Sequence, residues 1–217
     1  MQKLKIYLDN CCYNRPYDDQ TSPKVVVETL SKLYIQELVL NRKLDLVWSY
    51  VLKYENSGNC VESKRDAIGQ WEKVSVQFVG KSPSVVAMAN EVAATGIHPA
   101  DSLHIACAID AKCDYIITVD AKQVSCACYI TRMIGLLFVI RWILSVGRLK
   151  MTNNAILLDK GIKCLNEGLG MLDAEQFIYI LLSQPFDYTE WRKKNLFIDL
   201  SVEEISDAAD KYCRENS

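Results

Sequence analysis

Four short apolar runs, Leu4–Leu8, Leu44–Trp48, Val74–Val79 and Tyr115–Val119, are separated from one another by stretches of helical period. This alternation leaves few architectures open. A strand, a crossover helix and a further strand build a parallel sheet with helices on its faces. The run Tyr115–Val119 is continuously apolar and rich in β-branched residues, the pattern of a central strand covered on both sides. Between the first two runs, Val26, Leu30, Leu33, Tyr34 and Leu38 recur at helical spacing over residues 24–41. Ser49 is placed to cap a helix over YVLKYENSGN, and Pro83–Ala94 reads as a helix that closes at Gly96. The expected fold class is α/β: a three-layer α/β/α arrangement around a central parallel sheet, followed by a small all-α C-terminal unit.

The strand ends carry acids. Asp9 follows the first run directly, and Asp120 closes the fourth. In GIHPADSLHIACAIDAKCDYIITVD, Pro99 suits the first position of a helix, so Asp101 falls in its first turn, where free N–H groups favour an anion. Glu55 lies about two turns into the helix that Ser49 opens. In open α/β sheets, sites form beyond the carboxyl ends of the strands. Carboxylates gathered at one rim repel each other unless a cation neutralises them. Oxygen ligands of this kind suit Mg2+ or Mn2+. Such an ion polarises a phosphoryl oxygen and activates a water for attack on a phosphodiester. The chemistry implied is metal-dependent hydrolysis of a nucleic-acid backbone. His104, with Leu103 and Cys107, reads as part of the buried helix face rather than as a base. Asn10 is read as a hydrogen-bonding or turn residue, Arg15, Asp18 and Asp19 as solvated loop charges, and Tyr13 and Tyr17 as packing residues rather than base stackers.

Composition narrows the setting. The net charge of −2 hides a split: residues 1–150 carry 18 basic and 15 acidic side chains, and residues 151–217 carry 7 and 12. Opposite signs fit a C-terminal segment that masks the rest. Nine cysteines without a CxxC pair, and only two histidines, argue against disulfides and zinc and for a reducing, cytoplasmic setting. No secretory signal is read at Met1. The run Met133–Val146, broken by Arg141, is too short for a comfortable membrane span and is read as a buried last strand or core helix. Beyond it, Asn153–Glu167 forms an amphipathic helix, Asp173 with Gln176 opens a second, and Ser201 with Glu204 opens a third carrying Ile205, Ala208 and Tyr212.

The segments KIYLDNCCYNRPYDDQ, WSYVLKYENS and HPADSLHIACAIDAKCDYIITVD together resemble a PIN domain, the fold of many toxin ribonucleases, over roughly residues 3–125. The resemblance implies a Mg2+- or Mn2+-dependent endonuclease acting on single-stranded or structured RNA, in a domain that often dimerises. It implies Asp9, Glu55, Asp101 and Asp120 as the catalytic and metal-holding acids, with Glu62 close to Glu55 in the sequence. The alternative is a catalytically degenerate PIN-fold binding or interaction module. The chain then divides into a PIN-like domain (1–125), an atypical apolar connector or last strand (126–150) and a helical segment (151–217). That last segment resembles the small antitoxin-like partners of toxin–antitoxin pairs. Met151 looks like an initiator, so two neighbouring reading frames are expected to have been joined. In such pairs the partner, in cis or as a separate antitoxin, presents a basic side chain to the acids. Arg192, Lys193 and Lys194, in the aromatic and basic stretch FDYTEWRKKNLF, are the candidates for this inhibitory contact.

Overall fold

The computed structural model describes residues 3–119, 137–138, 154–183 and 187–216. Five strands, β1 (Leu4–Leu8), β2 (Leu44–Ser49), β3 (Gln77–Val79), β4 (Tyr115–Ile117) and β5 (Leu137–Phe138), form one sheet in the order β3-β2-β1-β4-β5. Every pairing is parallel. The sheet steps outward from β1 through β2 to β3 on one side and through β4 to β5 on the other. The order therefore reverses between β1 and β4, and the carboxyl ends of these two strands border the crevice where such sheets bind ligands. At the opposite, amino end of this strand pair Asp114 fixes the register, since its carboxylate accepts from the Lys5 N–H at 2.7 Å and its own N–H reaches the Lys5 carbonyl at 2.7 Å.

The helices are α1 (Asn10–Asn14), α2 (Pro23–Leu40), α3 (Tyr50–Ser57), α4 (Glu62–Val74), α5 (Pro83–Ala93), α6 (Pro99–Asp110), α7 (Asn154–Leu169), α8 (Met171–Ser183), α9 (Tyr188–Asn195) and α10 (Val202–Glu215). The α/β class expected from the sequence is present, and the arrangement is compatible with three layers. Local chemistry explains several starts. Ser49 accepts from the Leu52 N–H and opens α3, while Ser201 and Glu204 form a full capping box on α10. The third apolar run is divided, because Val74 ends α4 and only Gln77–Val79 pairs as strand. The loop expected after Asp9 opens with α1, whose N-cap is the extended Asp9. Gly170, at φ 82°, separates α7 from α8, so Asp173 lies inside the first turn of α8 rather than at its cap.

The chain forms two compact units, Met1–Ser145 together with Asp187–Ser217, and Val146–Phe186. Residues from Asp187 onward thus belong to the unit that contains the sheet. The segment 126–150 falls outside the described residues apart from β5, which extends the sheet beside β4. Tyr7, Leu8, Leu46, Val47 and Trp48 are fully buried at the centre of the core. Helix α6 buries almost its whole length, not one face only, because α5 and α10 both pack on it as well as the sheet. No described helix is long and apolar enough to cross a membrane.

Candidate metal centre

Asp9 leaves β1 in extended conformation at the crevice, and its N–H still pairs with the Ile117 carbonyl at 2.9 Å. Its Oδ2 accepts from Thr118 Oγ1 at 2.9 Å and from the Cys11 thiol at 3.0 Å. Glu55 is carried in by α3, which starts at the carboxyl end of the neighbouring β2. Asp101 and His104 stand three residues apart on α6 and so share a face of it. Three of the four acids read from the sequence, Asp9, Glu55 and Asp101, are brought together through the contacts below. Asp120 falls outside the described residues.

His104 links the cluster. Its Nε2 lies 2.7 Å from Glu55 Oε2 and 3.8 Å from Asp9 Oδ1, and its Nδ1 lies 2.7 Å from Tyr7 Oη. Tyr7 Oη is in turn 2.7 Å from Ser49 Oγ. Asp9, Glu55 and His104 are fully buried, and each offers one ligand atom within 4.8 Å of the other two. Two carboxylates and an imidazole at that spacing can hold one metal ion.

A protein cation already reaches this cluster. Arg192 on α9 places Nε 2.8 Å from Glu55 Oε1 and a terminal nitrogen 2.7 Å from Asp101 Oδ1, bridging two helices with one planar fork. Of the three basic candidates, Arg192 alone makes this contact among the described residues. Lys193 and Lys194 are exposed, and Lys193 lies 3.4 Å from Glu190. Tyr188, one helical turn before Arg192, enters on the same face of α9. It is fully buried, accepts from Asn10 Nδ2 at 2.7 Å and donates to Glu55 Oε1 at 3.3 Å.

The electrostatics follow from this packing. Burial pushes the Asp9 carboxyl up, but His104 and Arg192, with the bonds from Cys11 and Thr118, hold it below the usual range. Glu55 is likewise lowered: burial opposes its charge, and Arg192 and then His104 outweigh that. Asp101 is raised, because burial and the charge of Asp9 prevail over Arg192. Burial favours neutral His104, yet the bond to Glu55 and the charge of Asp9 raise it above its ordinary value. The centre is therefore an acid cluster balanced by the guanidinium of Arg192, with His104 bonded to Glu55.

Two expectations about the neighbouring loop are corrected. Arg15 and Asp18 are not solvated: both are buried, paired at 2.9 Å, and Arg15 Nε lies 3.0 Å from Glu28. Asp18 also accepts from the Tyr188 N–H at 2.8 Å, tying the start of α9 to the loop after α1. Asp19 is half-buried, and of the two tyrosines expected to pack, Tyr13 is fully buried whereas Tyr17 is exposed. Burial pushes the Asp18 carboxyl up to about 6 in spite of Tyr188 and Arg15. A carboxyl raised on folding binds more protons folded than unfolded, so its stabilisation is full below its unfolded value and is lost as pH rises through about 6. Asp18→Asn keeps an oxygen for the Tyr188 N–H and removes the titration. Denaturant unfolding between about pH 4 and 7 should then lose that falling component.

Sequence reasoning did not assign His104, Tyr188, Thr118, Cys11 or Tyr7 to the site. The signal available for Tyr188 was its spacing of four from Arg192, which sets an aromatic and a basic side chain on one helical face. Comparisons with protein-family models, curated proteins and solved structures give no match for this chain.

Proposed function

We propose that this chain is a metal-dependent endoribonuclease of the PIN type whose site is masked in cis by Arg192. The observation that carries the reading is the meeting of Asp9, Glu55 and Asp101, from three distant segments, around the guanidinium of Arg192. Carboxylates so gathered need a cation, and a metal ion and an arginine are alternative ways to supply one.

Asp9, Glu55 and Asp101 would hold Mg2+ or Mn2+, with Asp120 as the fourth acid that the resemblance implies. The bound ion supplies a polarised phosphoryl oxygen and an activated water. Thr118 and Cys11 orient Asp9, and His104 orients Glu55, so the ligands stand ready before metal enters. Tyr188 and Arg192 cover the same atoms, and RNA reaches them only once α9 has moved aside. An RNA substrate and an antitoxin-like inhibitory segment are thus alternative occupants of one crevice.

The test is cleavage of end-labelled single-stranded RNA by the full chain with Arg192→Met, which keeps the apolar stem and removes the charge. Cleavage should appear with Mg2+ or Mn2+, vanish with chelator, and be abolished by adding Asp101→Asn. The unsubstituted chain should cleave far more slowly. A folded, metal-binding Arg192→Met chain that leaves RNA intact would overturn the nuclease reading and leave an interaction module.

A further inference from the structure

We infer that His104 is itself a ligand of the ion, so that Asp9, Glu55 and His104 form a mixed nitrogen-and-oxygen site that takes Mn2+ in preference to Mg2+. This rests on the metal-dependent reading above and adds a ligand that the carboxylate set does not contain.

The spacing fits. Around an ion with bonds of about 2.0–2.2 Å, adjacent ligand atoms stand about 3 Å apart. His104 Nε2 lies 2.7 Å from Glu55 Oε2 and 3.8 Å from Asp9 Oδ1, which brackets that separation. An ion in place of the hydrogen between Nε2 and Glu55 needs only small side-chain shifts once Arg192 is gone. The far side of the ring is also prepared. A ligating histidine ordinarily donates its other N–H to a fixed partner. Here Tyr7 Oη stands 2.7 Å from Nδ1, and Ser49 Oγ lies 2.7 Å beyond it. With Tyr7 donating to Ser49, Tyr7 accepts from Nδ1–H and Nε2 turns its lone pair toward the acids.

A second observation lies at the margin of the cluster. Asn10 is fully buried and its Nδ2 reaches Tyr188 Oη, yet its Oδ1 has no hydrogen-bond partner among the described residues. A buried amide oxygen without a donor calls for a cation or a water. The imidazole sets the preference between ions. Nitrogen ligands suit first-row transition ions, whereas Mg2+ favours oxygen alone and keeps its waters.

The chain has two histidines, so His98→Asn, which preserves a capping side chain at that position, leaves His104 as the only imidazole. In the full chain carrying His98→Asn and Arg192→Met, bound Mn2+ should show electron spin-echo modulation from an imidazole nitrogen. Adding His104→Ala should remove that modulation and weaken Mn2+ binding by more than the about 10–100-fold that loss of an outer-shell partner costs, with a smaller loss for Mg2+. Mn2+ bound without nitrogen coupling overturns the role of His104 and leaves the carboxylate site standing. Failure to bind Mn2+ in both this chain and an Arg192→Gln counterpart, each folded by near-ultraviolet circular dichroism, overturns the metal reading as well.

Discussion

Arg192→Ala is expected to lower the stability of the metal-free chain by about 3–5 kcal/mol at neutral pH, and to make its unfolding midpoint rise with added Mn2+ or Mg2+. The first effect follows from what is left behind. Arg192 is 8% exposed and its partners Glu55 and Asp101 are 0% and 13% exposed, so little water is at hand to take over. Without the guanidinium, Glu55 keeps its bond to His104 while Asp101 loses its ion-pair partner. Removing one member of a buried pair costs more than the pair contributes, because the remaining charge stays desolvated. Arg192→Lys should fall between, since a single ammonium cannot bridge two carboxylates as a planar fork does.

The second effect is linkage. An ion that binds the folded state alone stabilises it by about 2.7 kcal/mol when its concentration exceeds Kd by about 100-fold. In the unsubstituted chain Arg192 competes for the same oxygens, so the response to metal should be small. Urea titrations with chelator and with Mn2+ measure both terms. Equal metal responses in the two chains would show that Arg192 does not compete for the ion.

The α/β class was legible because buried parallel strands leave apolar runs, and Asp9 and Glu55 were legible because β1 and β2 deliver them to one edge, whereas Asp120 lies outside the described residues. Other features left no distinct trace. A histidine at core spacing looks the same whether it packs against leucine or bonds a carboxylate, so His104 read as part of a helix face. Arg15 and Asp18 sit in a polar stretch and read as solvated. They are buried because they pair with each other and Glu28, and because Tyr188, 170 residues away from Asp18, comes back to bond it. A contact at that separation is invisible to local pattern. The resemblance implied a basic side chain at the acids, but only the path of α9 selects Arg192 over Lys193 and Lys194.

A chain ended at residue 186 should fail to fold rather than release an active nuclease. The segment that follows the aromatic and basic helix is not a detachable plug. Phe197, Val202, Ile205 and Ala209 belong to the same apolar core as the sheet residues Tyr7, Leu46 and Trp48. Helix α10 packs on α3, α5 and α6, with Tyr50 Oη 2.7 Å from Ser206 Oγ, and Tyr54 contacts both Phe197 and Tyr212. Burying a valine, isoleucine or phenylalanine side chain is worth about 1.5–3 kcal/mol. Losing Phe197, Val202 and Ile205 together removes about 5–9 kcal/mol, comparable with the whole stability of a domain, about 5–15 kcal/mol. Ile205→Ala alone should cost about 2–5 kcal/mol while leaving the Arg192 contacts in place. The shortened chain should accordingly be aggregated or lack near-ultraviolet circular dichroism, whereas Ile205→Ala should shift the urea midpoint and not the response to metal. If the shortened chain instead unfolds at the full-length midpoint, the terminal helices contribute nothing to the core. The order of events then follows from the energetics. Helix α10 is held by core packing, whereas α9 is held by the two Arg192 ion pairs and the hydrogen bonds of Tyr188, so on the proposed reading α9 is the element that leaves the crevice and α10 stays docked.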